Sequence, residues 1–278
     1  MSSELSVVPL TPAEIDENLA LVRAVGWPDV AGDWRVLHEA AWVLGARRDG
    51  HLVGQGALGL FGTAGTIAKM VVSPDAQRQG IGLRLLDTLL GEATRRSMSV
   101  LGLVATPFGA PLYESRDFAR AGDILIHMGT AALADQVAPP TPLDHENRAP
   151  EIEQRFVACS REVMLRARFR EACATSLSLD PDGRARGFAM ATSLDSLALI
   201  GPVIAETDED AQSLVSSICA QVRCPVRIDV PADRVAFRAW LDRQGVVEKA
   251  VRPEMVRGAA TLPWQVPQRF ALATQAWG

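Results

Sequence analysis

The residues with the clearest chemical use lie between Val72 and Gly82, where Asp75-Ala76-Gln77-Arg78-Gln79-Gly80-Ile81-Gly82 joins an apolar run to a long amphipathic segment. Glycines let a backbone approach an anion closely, and the start of a following helix presents unpaired N–H groups and the positive end of its dipole. Gln77 and Arg78 add side-chain donors. The loop suits a phosphate group, although a glycine turn that holds no ligand can share its spacing. Residue identity excludes two other phosphate-binding patterns. A dinucleotide fingerprint needs a third small residue where Leu85 stands, and an acid about 20 residues further on, where Val100 to Ala105 is apolar. A P-loop needs Gly-Lys followed by Ser or Thr, which the chain lacks.

The elements around this loop follow from periodicity. Leu5 to Leu10 is a short apolar run ending at Thr11-Pro12, a cap and first position for a helix on which Ile15, Leu19, Val22 and Val25 repeat. A shorter helix covers Trp34 to Ala40. Strand patterns follow at Trp42 to Ala46, Leu52 to Leu60 and Ile67 to Val72, with turns at Arg48-Asp49-Gly50 and around Gly62 to Gly65, as in an antiparallel meander. After the loop, Ile81, Leu85, Leu86, Leu89, Leu90 and Ala93 form one helical face. Val100 to Ala105 is a strand, Ala110 to Ser115 a short helix and Asp123 to Gly129 a last strand.

The loop resembles motif A of the GNAT superfamily of acyl-CoA-dependent N-acyltransferases, Gln/Arg-x-x-Gly-x-Gly/Ala, at Gln77, Gly80 and Gly82. Met70-Val71-Val72-Ser73-Pro74, the helix, the strand to Ala105 and Pro111-Leu112-Tyr113-Glu114-Ser115-Arg116-Asp117-Phe118 fall in the same order as in that family, over about residues 5 to 130. The resemblance implies an α+β fold with a mixed central sheet flanked by helices. It also implies acetyl-CoA as cosubstrate, its pyrophosphate on the amides of Gln77, Arg78, Gln79, Gly80, Ile81 and Gly82, and its pantetheine along Met70, Val71 and Val72. Tyr113, the only tyrosine in the chain, falls where the family places the acid that protonates the departing thiolate. A phenol with a reference pKa of about 10 is protonated at neutral pH, as that role requires. Asp117 stands where the family usually has glycine, so the bend after this helix is expected to differ locally.

No general base is evident. The chain has no carboxylate between Asp49 and Asp75, and Asp33, His38, Glu39 and His127 are the candidates, beside a water chain to solvent.

Residues 136–150 contain Pro139, Pro140, Pro142 and Pro150 and read as a linker between a catalytic domain, 1–135, and a second domain, 151–278. The second half repeats the late pattern of the first: strands at Arg186 to Thr192 and Leu197 to Ala205, then a helix from Thr207. A strand at Val226 to Val230 and a helix carrying Phe237, Trp240 and Leu241 follow. Its loop, Ala205 to Asp210, has no glycine and four carboxylates, which would repel a pyrophosphate. Leu241 stands where Tyr113 does, counting back from Gly245. This half resembles the degenerate C-terminal domain of two-domain GNAT proteins, a tandem arrangement that keeps the topology without the cofactor loop. It could close the amine site, stabilise the first domain or mediate a homodimer.

Composition narrows the partners. The 278 residues are 48% hydrophobic, which excludes disorder, and their net charge of -5 argues against nucleic acid. No run of about 18 apolar residues suggests a membrane span, and the first residues lack a signal pattern, so a cytoplasmic protein is expected. Cys159, Cys173, Cys219 and Cys224 have no metal-ligand spacing and read as reduced and structural, with no metal implied. The expected reaction is acetyl transfer to a primary amine of a small molecule, or of a peptide N-terminus or side chain, by direct attack. A longer acyl group and an acyl-CoA sensor without turnover are the alternatives.

Overall fold

The structure, a computed structural model, describes residues 5–132 and 141–278. The first half runs β1 (Leu5–Pro9), α1 (Ile15–Ala24), α2 (Ala31–Ala40), β2 (Ala41–Arg48), β3 (His51–Phe61), β4 (Ala64–Val72), α3 (Ile81–Arg95), β5 (Val100–Val104), α4 (Ala110–Glu114) and β6 (Ala119–Gly129). The second runs α5 (Arg148–Glu153), α6 (Glu162–Arg170), β7 (Ala174–Leu179), β8 (Ala185–Leu194), β9 (Leu197–Ala205), α7 (Asp208–Val222), β10 (Val226–Pro231), α8 (Val235–Arg243), β11 (Val247–Arg257) and β12 (Arg269–Ala271). Of the expected linker, residues 136–140 lie outside the described residues, and Arg148 to Pro150 already belong to α5.

Thr11 starts the first helical segment through a capping box with Glu14. α3 buries Ile81, Leu85, Leu86, Leu89, Leu90 and Ala93 in one cluster, each large side chain contributing about 1.5–3 kcal/mol. In its last turns the buried Glu92 pairs with Arg95 and Arg96.

All strands join one sheet in the order β1-β2-β3-β4-β5-β11-β6-β10-β9-β8-β7, with β12 added against β9. The two halves thus exchange their last long strands. β11 lies antiparallel between β5 and β6, while β6 reaches across to pair with β10. One apolar cluster also takes residues from both halves, including Trp34, Leu37 and Phe61 with Leu165, Trp264 and Trp277. α2 packs on α6, where Arg35 pairs with Glu171 through two bonds of 2.7 Å and Glu39 pairs with Arg170. The repeated pattern in the sequence therefore corresponds to two domains on a continuous sheet.

Candidate active site

β4 and β5 are parallel neighbours for three residue pairs only, Ala64↔Val100, Gly65↔Leu101 and Thr66↔Gly102. Beyond Thr66 they diverge. Register against β3 jumps from Gln55↔Val71 to Ala57↔Ala68, so Lys69 and Met70 form a bulge opposite Gly56, and Lys69 takes φ +52°. Gly56 makes the bulge fit, because a Cβ there would lie 2.4 Å from the Met70 sulfur. The edge of β4 from Ile67 to Val72 consequently faces a gap instead of β5.

The loop after β4 closes one end of that gap. Gly80 is the N-cap of α3 with φ +78°, the left-handed region that glycine adopts without strain, and Arg78 has φ +60°. Among the described residues, no hydrogen bond is made by the N–H groups of residues 78–83, which precede or open α3. The Gln77 amide donates to the Val72 carbonyl at 3.1 Å and so ties the loop to the strand. Gln79 is the one expected loop residue that turns aside: it donates to the Asp75 carbonyl and accepts from Arg48.

Tyr113 closes the other side. It sits on α4, is 8% exposed, and packs edge-on to Phe118 at 6.0 Å between centroids. Among the described residues its hydroxyl has no protein partner. Burial raises the phenol pKa well above its ordinary value, so the group stays protonated. Met70, Val71, Val72, Gln77, Arg78, Gly80, Ile81, Gly82 and Tyr113 all line one cavity of about 660 Å³, within the range of small-molecule and cofactor sites.

A family model of the acetyltransferase (GNAT) domain matches residues 33–133, and a second with the same description matches residues 150–271. The chain belongs to the GNAT acetyltransferases. It is a two-domain acyltransferase, and its similarity to known proteins extends over its whole length. An uncharacterised N-acetyltransferase of Bacillus subtilis (strain 168), YitH, is 23% identical over 98% of both chains. A crystal structure from Pyrococcus horikoshii, described as a candidate acetyltransferase, superposes with a TM-score of 0.83 at 19% identity over 99% of this chain and 96% of that one. A tandem GNAT protein from the clavulanic acid biosynthesis pathway superposes with a TM-score of 0.64 at 16% identity, covering 91% and 98%.

The base candidates of this GNAT protein separate cleanly. Asp33 lines the cavity, 3.5 Å from Arg168, whereas Glu39 is exposed on Arg170. His38 is turned toward Asn18, with Nε2 3.1 Å from Oδ1, and Asn18 in turn donates to Gln55 at 2.9 Å. His127 is fully buried beside Ile126, which lines the cavity, so strand alternation points His127 to the opposite face. Burial lowers the pKa of both histidines.

Sequence patterns missed the other charged lining groups. Asp29, before α2, pairs with Lys69 of the bulge at 2.6 Å. Arg227 and Asp229 of β10 form a two-bond pair of 2.8 Å each, and Arg252 comes from β11. Leu194, Leu199 and Thr274 to Trp277 complete this wall, so the second domain closes the cavity. No motif marks these residues, since the strand exchange brings them in from far along the chain.

The second domain has no such gap. β9 and β10 also pair for three residues, Ala198↔Val226, Leu199↔Arg227 and Ile200↔Ile228, then diverge, but β12 fills the space. Arg269 and Ala271 pair with Ile204 and Val203, and Leu272 N–H donates to the Asp229 carbonyl at 2.9 Å. Two of the four acids of its loop are paired: Glu206 holds Arg155 and Arg184, and Asp210 holds Arg186. Thr207 caps α7 by accepting from the Asp210 N–H at 3.2 Å. Leu241 takes the place of Tyr113, as Val246 N–H bonds to Leu241 O just as Phe118 N–H bonds to Tyr113 O. All four cysteines are free, with burial pushing Cys159 to about 11 and Cys219 to about 12. Among the described residues no cluster of metal ligands occurs and no helix is long and apolar enough to cross a membrane.

Proposed function

We propose that this cytoplasmic protein transfers an acetyl group from acetyl-CoA to the primary amine of a small molecule, with residues 1–135 as the catalytic domain and 151–278 as a degenerate partner. The observation that carries this reading is the open gap between β4 and β5, bounded by free loop amides at one end and by Tyr113 at the other. The pyrophosphate of acetyl-CoA would accept from the N–H groups at the start of α3, beside Arg78. The pantetheine amides would pair with the free edge of β4 as an added strand does. Gln79 contributes backbone only, because its side chain is held by Asp75 and Arg48.

The amine nitrogen attacks the thioester carbonyl carbon, and a backbone N–H of β4 stabilises the oxyanion. The C–S bond then breaks, the thiolate takes the Tyr113 proton, and the amine proton leaves to water. The phenolate regains its proton from solvent. The raised pKa of Tyr113 keeps the phenol protonated at pH values where the amine is already neutral.

CoA release over a panel of primary amines, including a peptide, tests this reading. Tyr113→Phe should lower kcat about 100-fold on a good substrate and leave acetyl-CoA affinity near that of the parent. A parent-like rate would remove Tyr113 from the chemistry, and the absence of CoA release with every amine would contradict the transferase reading.

A further inference from the structure

Charge on the cavity wall falls into compensated pairs and two exceptions. Asp29 is held by Lys69 at 2.6 Å, Asp229 by Arg227 at 2.8 Å and Asp33 by Arg168 at 3.5 Å. Among the described residues, Arg78 and Arg252 line the cavity with no acidic partner. Arg78 belongs to the loop proposed for the pyrophosphate. Arg252 lies elsewhere, on β11, where Ala105 N–H donates to the carbonyl of the adjacent Pro253 at 2.9 Å. Thr106 follows immediately and accepts the Gly109 N–H that opens the turn into α4 and Tyr113. The Arg252 backbone therefore runs beside the segment that leads into α4 and the proposed acid.

Its own bonding leaves a recognition edge. Arg252 Nη1 donates to the Val251 carbonyl at 2.9 Å, and no other partner of the side chain occurs among the described residues. The Nε–Nη2 edge stays free, with two parallel donors spaced to meet a carboxylate in a bidentate manner. The bond to Val251 is solvent-exposed, so the free edge is accessible to a ligand that brings an anion.

We infer that Arg252 is a specificity-determining residue that binds a carboxylate on the acceptor, so that the substrate is an amino acid or another amine carrying a carboxylate. This inference rests on the proposed acetyl transfer. The long-range field of a chain with net charge -5 would by itself favour purely cationic amines. The local cation overrides that preference at contact distance, since interactions between exposed charges beyond about 10 Å are largely screened at 0.1 M salt.

The test compares pairs of acceptors that share one amine and differ in a carboxylate, its carboxamide, its methyl ester or a phosphate in its place. CoA release should show KM for the carboxylate about 10- to 100-fold below that for the carboxamide and ester. Arg252→Gln should raise KM for the carboxylate by a similar factor, leave KM for the carboxamide unchanged, and leave acetyl-CoA affinity measured by calorimetry unchanged. Arg252→Lys should recover part of the preference. Equal KM across the series, or an Arg252→Gln effect equal for all acceptors, overturns the inference while the transferase reading stands. Tighter use of the phosphate than of the carboxylate also overturns it. Loss of acetyl-CoA affinity in Arg252→Gln would assign the residue to the cofactor and contradict the inference.

Discussion

The gap between β4 and β5 and its counterpart between β9 and β10 begin alike and end differently. In both, two parallel strands pair for three residues and then part. In the first, the edge of β4 is left facing a cavity whose far end carries free N–H groups. In the second, β12 supplies the missing strand partner, and the loop beyond holds four acids, two of them tied to arginines. The same topology can thus present a strand edge to a ligand or satisfy that edge with its own chain. Unsatisfied buried backbone is costly, so a strand edge that faces no ligand gains from a partner supplied by its own chain.

Substitutions can break or sharpen this contrast. The largest effect is expected in the filled gap. Phe270 is 3% exposed and meets Phe237 edge-on at 5.3 Å between centroids. Phe270→Ala should cost about 3–5 kcal/mol in denaturant unfolding, as for other large aromatic truncations. It should not create a second acetyl-CoA site, because the loop acids remain.

A smaller effect is expected from giving the open gap the character of the closed one. At Gly82 a Cβ would meet Leu112 and Val72 at an ordinary 3.7 Å, so the fold tolerates a side chain. Gly82→Asp should weaken acetyl-CoA binding about 30-fold, about 2 kcal/mol of like-charge repulsion, with little change in Tm. Parent-like affinity in calorimetry would place the pyrophosphate elsewhere.

The smallest effect concerns the bend after the short helix. Asp117 adopts φ +63° where Gly245 of the second domain has φ +83°. Asp117→Gly should raise stability by about 0.5 kcal/mol through relief of left-handed strain, read as a small rise in Tm. A fall in Tm would mean that the Asp117 side chain offsets the strain.

The legible parts of the site were those fixed by local spacing. Gly80, Gly82 and Tyr113 stand at set distances from a strand end and a helix start, so their positions in the cavity follow from the order of elements. The exchange of β6 and β11 was not legible. β11 spans Val247–Arg257, yet it interrupts its apolar residues with Glu248, Lys249, Arg252, Pro253 and Glu254, so no strand pattern shows. β7 was missed because Ala174–Leu179 carries only two large apolar residues, Leu177 and Leu179, too short an alternation to mark a strand. Phe270 to Ala273 is an apolar run, but nothing local tells that it fills a gap between two distant strands. The lining residues Asp29, Arg227, Asp229 and Arg252 escaped for the same reason, because pairings between remote segments bring them together.

Titration calorimetry of the full chain with acetyl-CoA tests the contrast most directly. One site per chain, weakened by Gly82→Asp and kept in Phe270→Ala, is the result expected of one open and one filled gap. Two sites per chain, or a single site indifferent to Gly82→Asp, would contradict it.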